Sequence, residues 1–141
     1  MANLVLEIDS NFAALGPATE RLHEFLGECG APDPAMFIAD LVIEELVTNA
    51  IKYGYDDDAV HRIRIGVEFA DGRLSVQVRD DGRAFNPLEQ AAPDTTLSAD
   101  ERDIGGLGIH LVRQMTDDVC YERSGEENVV TATKTFAEIL P

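Results

Sequence analysis

Glu45 and Asn49 are the side chains in this sequence whose type and spacing first suggest chemistry. They lie in the stretch Asp40 to Gly54, DLVIEELVTNAIKYG, at positions where a helix buried on all sides would want hydrocarbon. A spacing of four puts them about 6 Å apart along a helix axis and on the same side. A carboxylate and a carboxamide stacked in this way can act together. Leu41, Val42, Leu46, Ala50 and Ile51 supply an apolar stripe at helical spacing. The helix can therefore pack on one side while Glu45 and Asn49 look into a cleft on another. An ordinary amphipathic helix with a solvated face fits the same residues, so other segments must decide between the two.

Two further segments bear on that choice. Asp80-Asp81-Gly82 leaves the end of a strand, where an aspartate can accept a hydrogen bond from an exocyclic amine and so read adenine as opposed to guanine. A solvated Asp-Gly turn is the plainer alternative. Gly105-Gly106-Leu107-Gly108 stands where a loop becomes a helix, so unpaired backbone N–H groups and the positive end of the helix dipole face whatever lies in front. Glycines let such a backbone approach phosphate closely, although a glycine-rich hinge without a ligand has the same composition.

The elements that must position these residues follow from periodicity. Leu4 to Ile8 alternate as a first strand. Ser10 is expected to cap a helix running from about Phe12 to Leu26, with Pro17 moving its start toward Gly16 and Gly27 to Gly30 ending it. Asp33-Pro34 pairs a capping side chain with proline at the first helical position and opens the Glu45 helix, which Gly54 stops. Ile63, Ile65, Val67 and Phe69 share one strand face; Leu74, Val76 and Val78 repeat the pattern after an Asp71-Gly72 hairpin turn. Residues 88–104 lack periodicity and read as a long functional loop, most simply a lid. After it, Leu107, Leu111, Val112 and Met115 are expected to form the buried stripe of a helix. Two strands, about Asp118 to Glu122 and Asn128 to Phe136, then pair through Ser124-Gly125-Glu126. This order predicts a single α+β domain over residues 1–141, a two-layer sandwich of a mixed, mostly antiparallel sheet with helices on one face.

Composition narrows the partners. The 141 residues suffice for one core, and 45% hydrophobic with 27% charged residues is ordinary for a globular protein. No apolar run approaches the roughly 20 residues of a bilayer span, and the N-terminus lacks a signal-like pattern, so a cytoplasmic protein is expected. Cys29 and Cys120 have no partners at metal-ligand spacing and are expected to be buried thiols. A formal charge of −16 repels phosphate backbones and anionic lipid, which argues against nucleic acid and membranes as partners. The same charge repels a nucleotide unless a divalent cation offsets it, so a phosphate site here should need Mg²⁺.

Taken in order, E-x-x-x-N-A-x-K-Y at the end of a helix, D-x-G-x-A after a strand and G-G-L-G-I-H-L-V after a loop resemble the GHKL ATP-binding superfamily. Its members include gyrase B, Hsp90, histidine kinases and anti-sigma-factor serine kinases. Glu45 to Tyr53 is similar to its N box, Asp80 to Ala84 to its G1 box and Gly105 to Gly108 to its G2 box. The likeness covers nearly the whole chain and implies the Bergerat ATP-binding fold. Chain size, two N-terminal helices and T-N-A-I-K make it similar to the small bacterial anti-sigma-factor serine/threonine kinases (RsbW-like) of partner-switching pathways.

That resemblance implies roles residue by residue. Asn49 would hold Mg²⁺ bridging the ATP phosphates, Asp80 would bind the adenine amino group, and Gly82 would shape its pocket. Ala84 replaces the usual second glycine of the G1 box and is small enough to fit. Gly105, Gly106, Leu107 and Gly108 would line the phosphate end, with Lys52 assisting. Asn128 stands where many relatives place a threonine near adenine and could hydrogen-bond there. Glu45 would be the general base toward a protein serine or, in an ATPase, water. Burial must then lift its pKa toward working pH.

Three functions are compatible with these motifs. One is a protein serine/threonine kinase doubling as an anti-sigma factor, which binds a sigma factor in one state and phosphorylates a STAS-type anti-anti-sigma protein in the other. A second is a non-catalytic, ATP-gated binding module that sequesters a partner without needing Glu45. The third is the ATP-binding domain of a histidine kinase, which the short chain preceding the first motif disfavours. The helix around Arg21 and His23 is the expected partner surface, and the relatives' frequent dimerisation extends to a homodimer.

Overall fold

Alternation builds the sheet as periodicity predicts. In the computed structural model, which describes residues 2–57, 59–89 and 104–136, β2 (Arg62–Ala70) buries Ile63, Ile65 and Val67, and β3 (Arg73–Asp80) buries Leu74, Val76 and Val78. Asp71 and Gly72 join them with φ of 52° and 76°, the two left-handed residues that a tight hairpin turn requires. β1 (Ala2–Asp9) pairs with β2, and β5 (Glu127–Thr135) lies between β3 and β4 (Asp118–Ser124). The sheet order is β1-β2-β3-β5-β4 and every neighbouring pair is antiparallel, so the sheet expected to be mostly antiparallel is wholly so among the described strands.

Three helices cover one face of that sheet: α1 (Leu15–Glu28), α2 (Asp33–Tyr53) and α3 (Ile104–Met115). Leu22 and Leu26 of α1, Val42 and Ile43 of α2, and Ile109 and Val112 of α3 join the inward strand residues in one core. Each such side chain contributes on the order of 1.5–3 kcal/mol by leaving water. The predicted α+β two-layer sandwich is the fold observed.

Several local expectations shift. A 3-10 turn over Phe12–Ala14 precedes α1, and it is capped by Asn11 Oδ1, which accepts from the Ala14 N–H at 3.0 Å. Ser10 instead accepts from the His61 N–H at 2.8 Å and ties the start of α1 to β2. Pro32, extended at ψ 156°, is the N-cap of α2, so Asp33 sits inside the first turn and favours the helix through its charge. On α3 the buried residues are Ile109 and Val112, whereas Leu111 and Met115 are 39% and 37% exposed. The Leu107 side chain lies outside the described residues. Cys29 is half-buried and Cys120 exposed, against the expectation of two buried thiols. Most of the proposed lid, residues 90–103, also lies outside the described residues, and Pro87–Glu89 forms a short 3-10 turn at its start.

Candidate functional site

The last two turns of α2 and the ends of β3 and β5 line an open cleft. Leu46, Asn49, Ala50 and Gly54 form its helical wall, Val78, Asp80, Asn128 and Val130 its floor, and Phe85 and Pro87 its rim. Phe85 is held by stacking on Tyr53, with ring centroids 5.0 Å apart. The lining is mostly apolar with three polar side chains, Asn49, Asp80 and Asn128, the composition typical of a small-molecule site.

Asn49 is 4% exposed, and its Nδ2 is a buried polar atom without a partner among the described residues. An unsatisfied buried amide costs about 1–3 kcal/mol, so folding alone does not explain it. Either end of a carboxamide can be turned inward, and its oxygen is a hard donor of the type Mg²⁺ prefers. The residue therefore fits the metal-holding role that the resemblance implies.

Asp80 is 7% exposed. Its Oδ1 accepts from the Gly82 N–H at 3.0 Å and from Asn128 Nδ2 at 3.0 Å. Burial pushes its carboxyl pKa upward, opposed by those two hydrogen bonds and by Arg123, with Asp81 adding to the rise. Gly82 is buried where the loop crosses the end of α2. A Cβ there would stand 2.5 Å from Gly54 O and 2.8 Å from Gly54 C and Cα, and the Arg83 N–H donates to the same Gly54 O at 2.8 Å. Gly82 thus lets the segment after β3 seat on α2, which fixes Asp80 opposite Asn49. Ala84 is exposed and does not line the cleft.

One turn before Asn49, Glu45 is half-buried and faces α3. A Cβ at Gly108 would collide with the Glu45 carboxylate, so the absence of a side chain at position 108 is what allows α2 and α3 to approach here. Burial and the neighbouring Glu44 raise the Glu45 pKa, while Lys52 lowers it. Lys52 is exposed, one turn beyond Asn49 on the side that Glu45 shares. Gly105 and Gly106 fall within the first turn of α3, which begins at Ile104, so the glycines lie inside the helix start and the predicted loop-to-helix boundary moves forward by one residue.

The structure brings Glu45, Asn49, Asp80, Gly82, Gly108 and Asn128 to one end of the sandwich. It gives Asn128 a different surrounding from the one expected, since both ends of its carboxamide are taken up by protein groups. Tyr121 and Arg123, which reach Asn128 from β4, went unrecognised in the sequence. Their only local signal is the inward phase of alternation on a strand whose burial pattern is weak. Arg21 is exposed, whereas the His23 ring is turned toward α2 and paired with Asp40 at 2.7 Å, so the two side chains leave α1 in different directions. Among the described residues no helix is long and apolar enough to cross a membrane.

Comparison with known proteins agrees with this geometry. A family model described as a histidine kinase-like ATPase domain matches residues 8–134. The anti-sigma F factor of Bacillus subtilis (strain 168) is 31% identical over 85 residues, 60% of this chain and 58% of that protein. The anti-sigma F factor of Geobacillus stearothermophilus is 32% identical over 81 residues, 57% of this chain and 56% of that protein. The matched stretch therefore spans little more than half the length of these relatives. Among solved structures, the RsbU and RsbW domains of Rv1364c from Mycobacterium tuberculosis superpose with a TM-score of 0.68 at 20% identity, covering 96% of this chain and 32% of that one. The Acinetobacter baumannii histidine kinase AdeS superposes with a TM-score of 0.51 at 15% identity, over 96% of this chain and 68% of that one. These two likenesses are of fold. With the family match running from the end of β1 almost to the end of β5, this chain belongs to the histidine kinase-like ATPase domain family.

Proposed function

We propose that this chain binds Mg-ATP in the cleft between α2 and the ends of β3 and β5, and transfers the γ-phosphoryl group to a serine or threonine of a STAS-type anti-anti-sigma protein. In its other state it holds a sigma factor. The observation that carries this reading is Asn49, a buried carboxamide whose Nδ2 has no partner among the described residues, in the same cleft as Asp80 and one turn from Glu45. Its relatives named anti-sigma F factor supply the sigma-factor side of the proposal.

In this reading Asp80 accepts a hydrogen bond from the adenine amino group, while Phe85, Val78 and Val130 cover the base. The first-turn N–H groups of α3, at Gly105, Gly106 and Leu107, face the phosphates, and Lys52 offsets their charge. Mg²⁺ held by Asn49 would neutralise charge on the phosphate oxygens. Glu45 accepts the proton of the attacking hydroxyl as the new O–P bond forms and ADP leaves with the bridging oxygen. Its raised pKa suits a base at neutral pH.

The test is phosphotransfer. The protein is incubated with Mg-ATP and each STAS-domain protein of its organism, and mass spectrometry locates phosphate on serine or threonine, with Glu45→Ala in parallel. Modification of one partner by the parent and none by the variant is the expected result. Nucleotide binding without modification of any partner would favour the second reading, a nucleotide-gated binding module. That alternative uses the same cleft and does not need Glu45, so partner binding should survive in Glu45→Ala.

A further inference from the structure

The cleft contains one polar side chain whose hydrogen-bonding capacity is spent on the protein itself. Asn128 is 3% exposed. Its Nδ2 donates to Asp80 Oδ1 at 3.0 Å and to the Arg83 carbonyl at 2.8 Å. Its Oδ1 accepts from the Tyr121 hydroxyl at 2.6 Å, the Phe85 N–H at 3.2 Å and Arg123 Nη1 at 3.2 Å. The orientation of the amide is therefore dictated by chemistry. Reversed, it would turn its N–H₂ toward three donors and its oxygen toward a carboxylate and a carbonyl. Arg123 also donates to the Gly82 carbonyl at 2.8 Å, so β4 braces both Asn128 and the turn that follows Asp80.

The consequence falls on Asp80. Both described donors to its carboxylate, Gly82 N–H and Asn128 Nδ2, meet the same oxygen, Oδ1. Oδ2 is thereby left for a ligand in the cleft that Asp80 lines. We infer that Asn128 is a positioning residue for purine selection: braced by Tyr121 and Arg123, it holds Asp80 through Oδ1 so that Oδ2 presents an acceptor to a 6-amino purine. This inference rests on the nucleotide-binding reading above and adds a specificity device to it.

The electrostatics favour the same outcome. Burial pushes the Asp80 carboxyl toward its protonated form, and the Asn128 hydrogen bond opposes that most strongly. The other titratable or charged groups facing it are Asp81 beside it, Arg123 on β4 and Tyr55 beyond α2. Without the donor at position 128, Asp80 takes up a proton more readily. A carboxylic acid O–H would then suit a 6-oxo purine, which an ionised Oδ2 rejects.

The experiment compares two substitutions of nearly equal shape. Asn128→Val removes every hydrogen-bonding atom at the site; Asn128→Thr restores a hydroxyl donor to Asp80; both are β-branched and suit a strand. Mg-ATP and Mg-ITP affinities are measured by calorimetry from pH 6 to 8 for both variants, the parent and Asp80→Asn. The inference expects Asn128→Val to lose about tenfold or more of the parent's preference for ATP over ITP, most at low pH. It expects Asp80→Asn to lose that preference at every pH, and Asn128→Thr to keep most of it. A thermal melt on each variant separates this from unfolding, which would weaken both nucleotides alike and leave the ratio unchanged. Equal, parent-like preference in Asn128→Val and Asn128→Thr would overturn the positioning role while leaving nucleotide binding intact. A parent that binds neither nucleotide would overturn the underlying reading together with the inference.

Discussion

Glu45 and Asn49 share one helix face yet answer to different physical constraints. For Glu45, burial and the adjacent Glu44 hold the proton more tightly than water would, and Lys52 partly opposes them. Only the deprotonated form can act as a base, so phosphotransfer should rise with pH through an acid limb above the ordinary glutamate range near about 4.3. Lys52→Ala removes the one opposing cause and should move that limb to higher pH, which a kcat–pH profile at saturating Mg-ATP would detect. For Asn49, a buried amide nitrogen with no partner among the described residues should destabilise the free protein. Asn49→Leu should therefore raise Tm without nucleotide by several degrees, the equivalent of roughly 1–3 kcal/mol, while abolishing Mg-ATP binding. An unchanged or lower Tm would mean that Asn49 is satisfied in solution. These residues were legible in the sequence because a polar side chain at a core-facing helical position is locally anomalous. The surroundings of Asn128 were not, since its Asp80 partner lies 48 residues away and only the β3–β5 register brings them together.

The α2–α3 contact and the α2–loop contact each depend on a residue without a side chain. Gly82→Ala would drive a Cβ into the Gly54 backbone, which cannot move without displacing the end of α2. A loss of about 1–3 kcal/mol and weaker ATP binding are expected. Gly108→Ala meets a different obstacle, the movable end of Glu45. Its Tm should change little while phosphotransfer collapses, because the proposed base is pushed from its place. Gly66→Ala on β2, where nothing lies within 4 Å, is the control and should alter neither. Denaturation curves and phosphotransfer rates together distinguish the three. At this scale the hairpin was readable because Asp-Gly supplies the two positive φ values its turn needs. The buried face of α3 was read only in part: Val112 is buried as expected, but Ile109 takes the inward place expected of Leu111 and Met115, which are more than a third exposed, because apolar residues at 107, 109, 111, 112 and 115 allow more than one helical stripe to be drawn. The start of α2 was displaced by one residue for a similar reason: Pro32 and Pro34 flank Asp33, and local sequence does not say which of them begins the helix.

Across the whole molecule, a formal charge of −16 opposes the approach of a polyanion to any part of the surface. The binding reading therefore requires charge compensation at the site, which the proposal assigns to a divalent cation. In chelator, ATP affinity should fall at least about tenfold, and added monovalent salt should recover part of that loss by screening the surface but none of the contribution made through Asn49. The measurement that tests the central claim most directly is calorimetric titration of ATP into the parent and into Asn49→Ala, each with Mg²⁺ and with chelator. The account predicts one nucleotide per chain for the parent, strong dependence on Mg²⁺, and a variant that binds weakly and no better with the metal than without it. Equal Mg-ATP affinity in parent and variant would contradict it, because the buried carboxamide would then hold nothing.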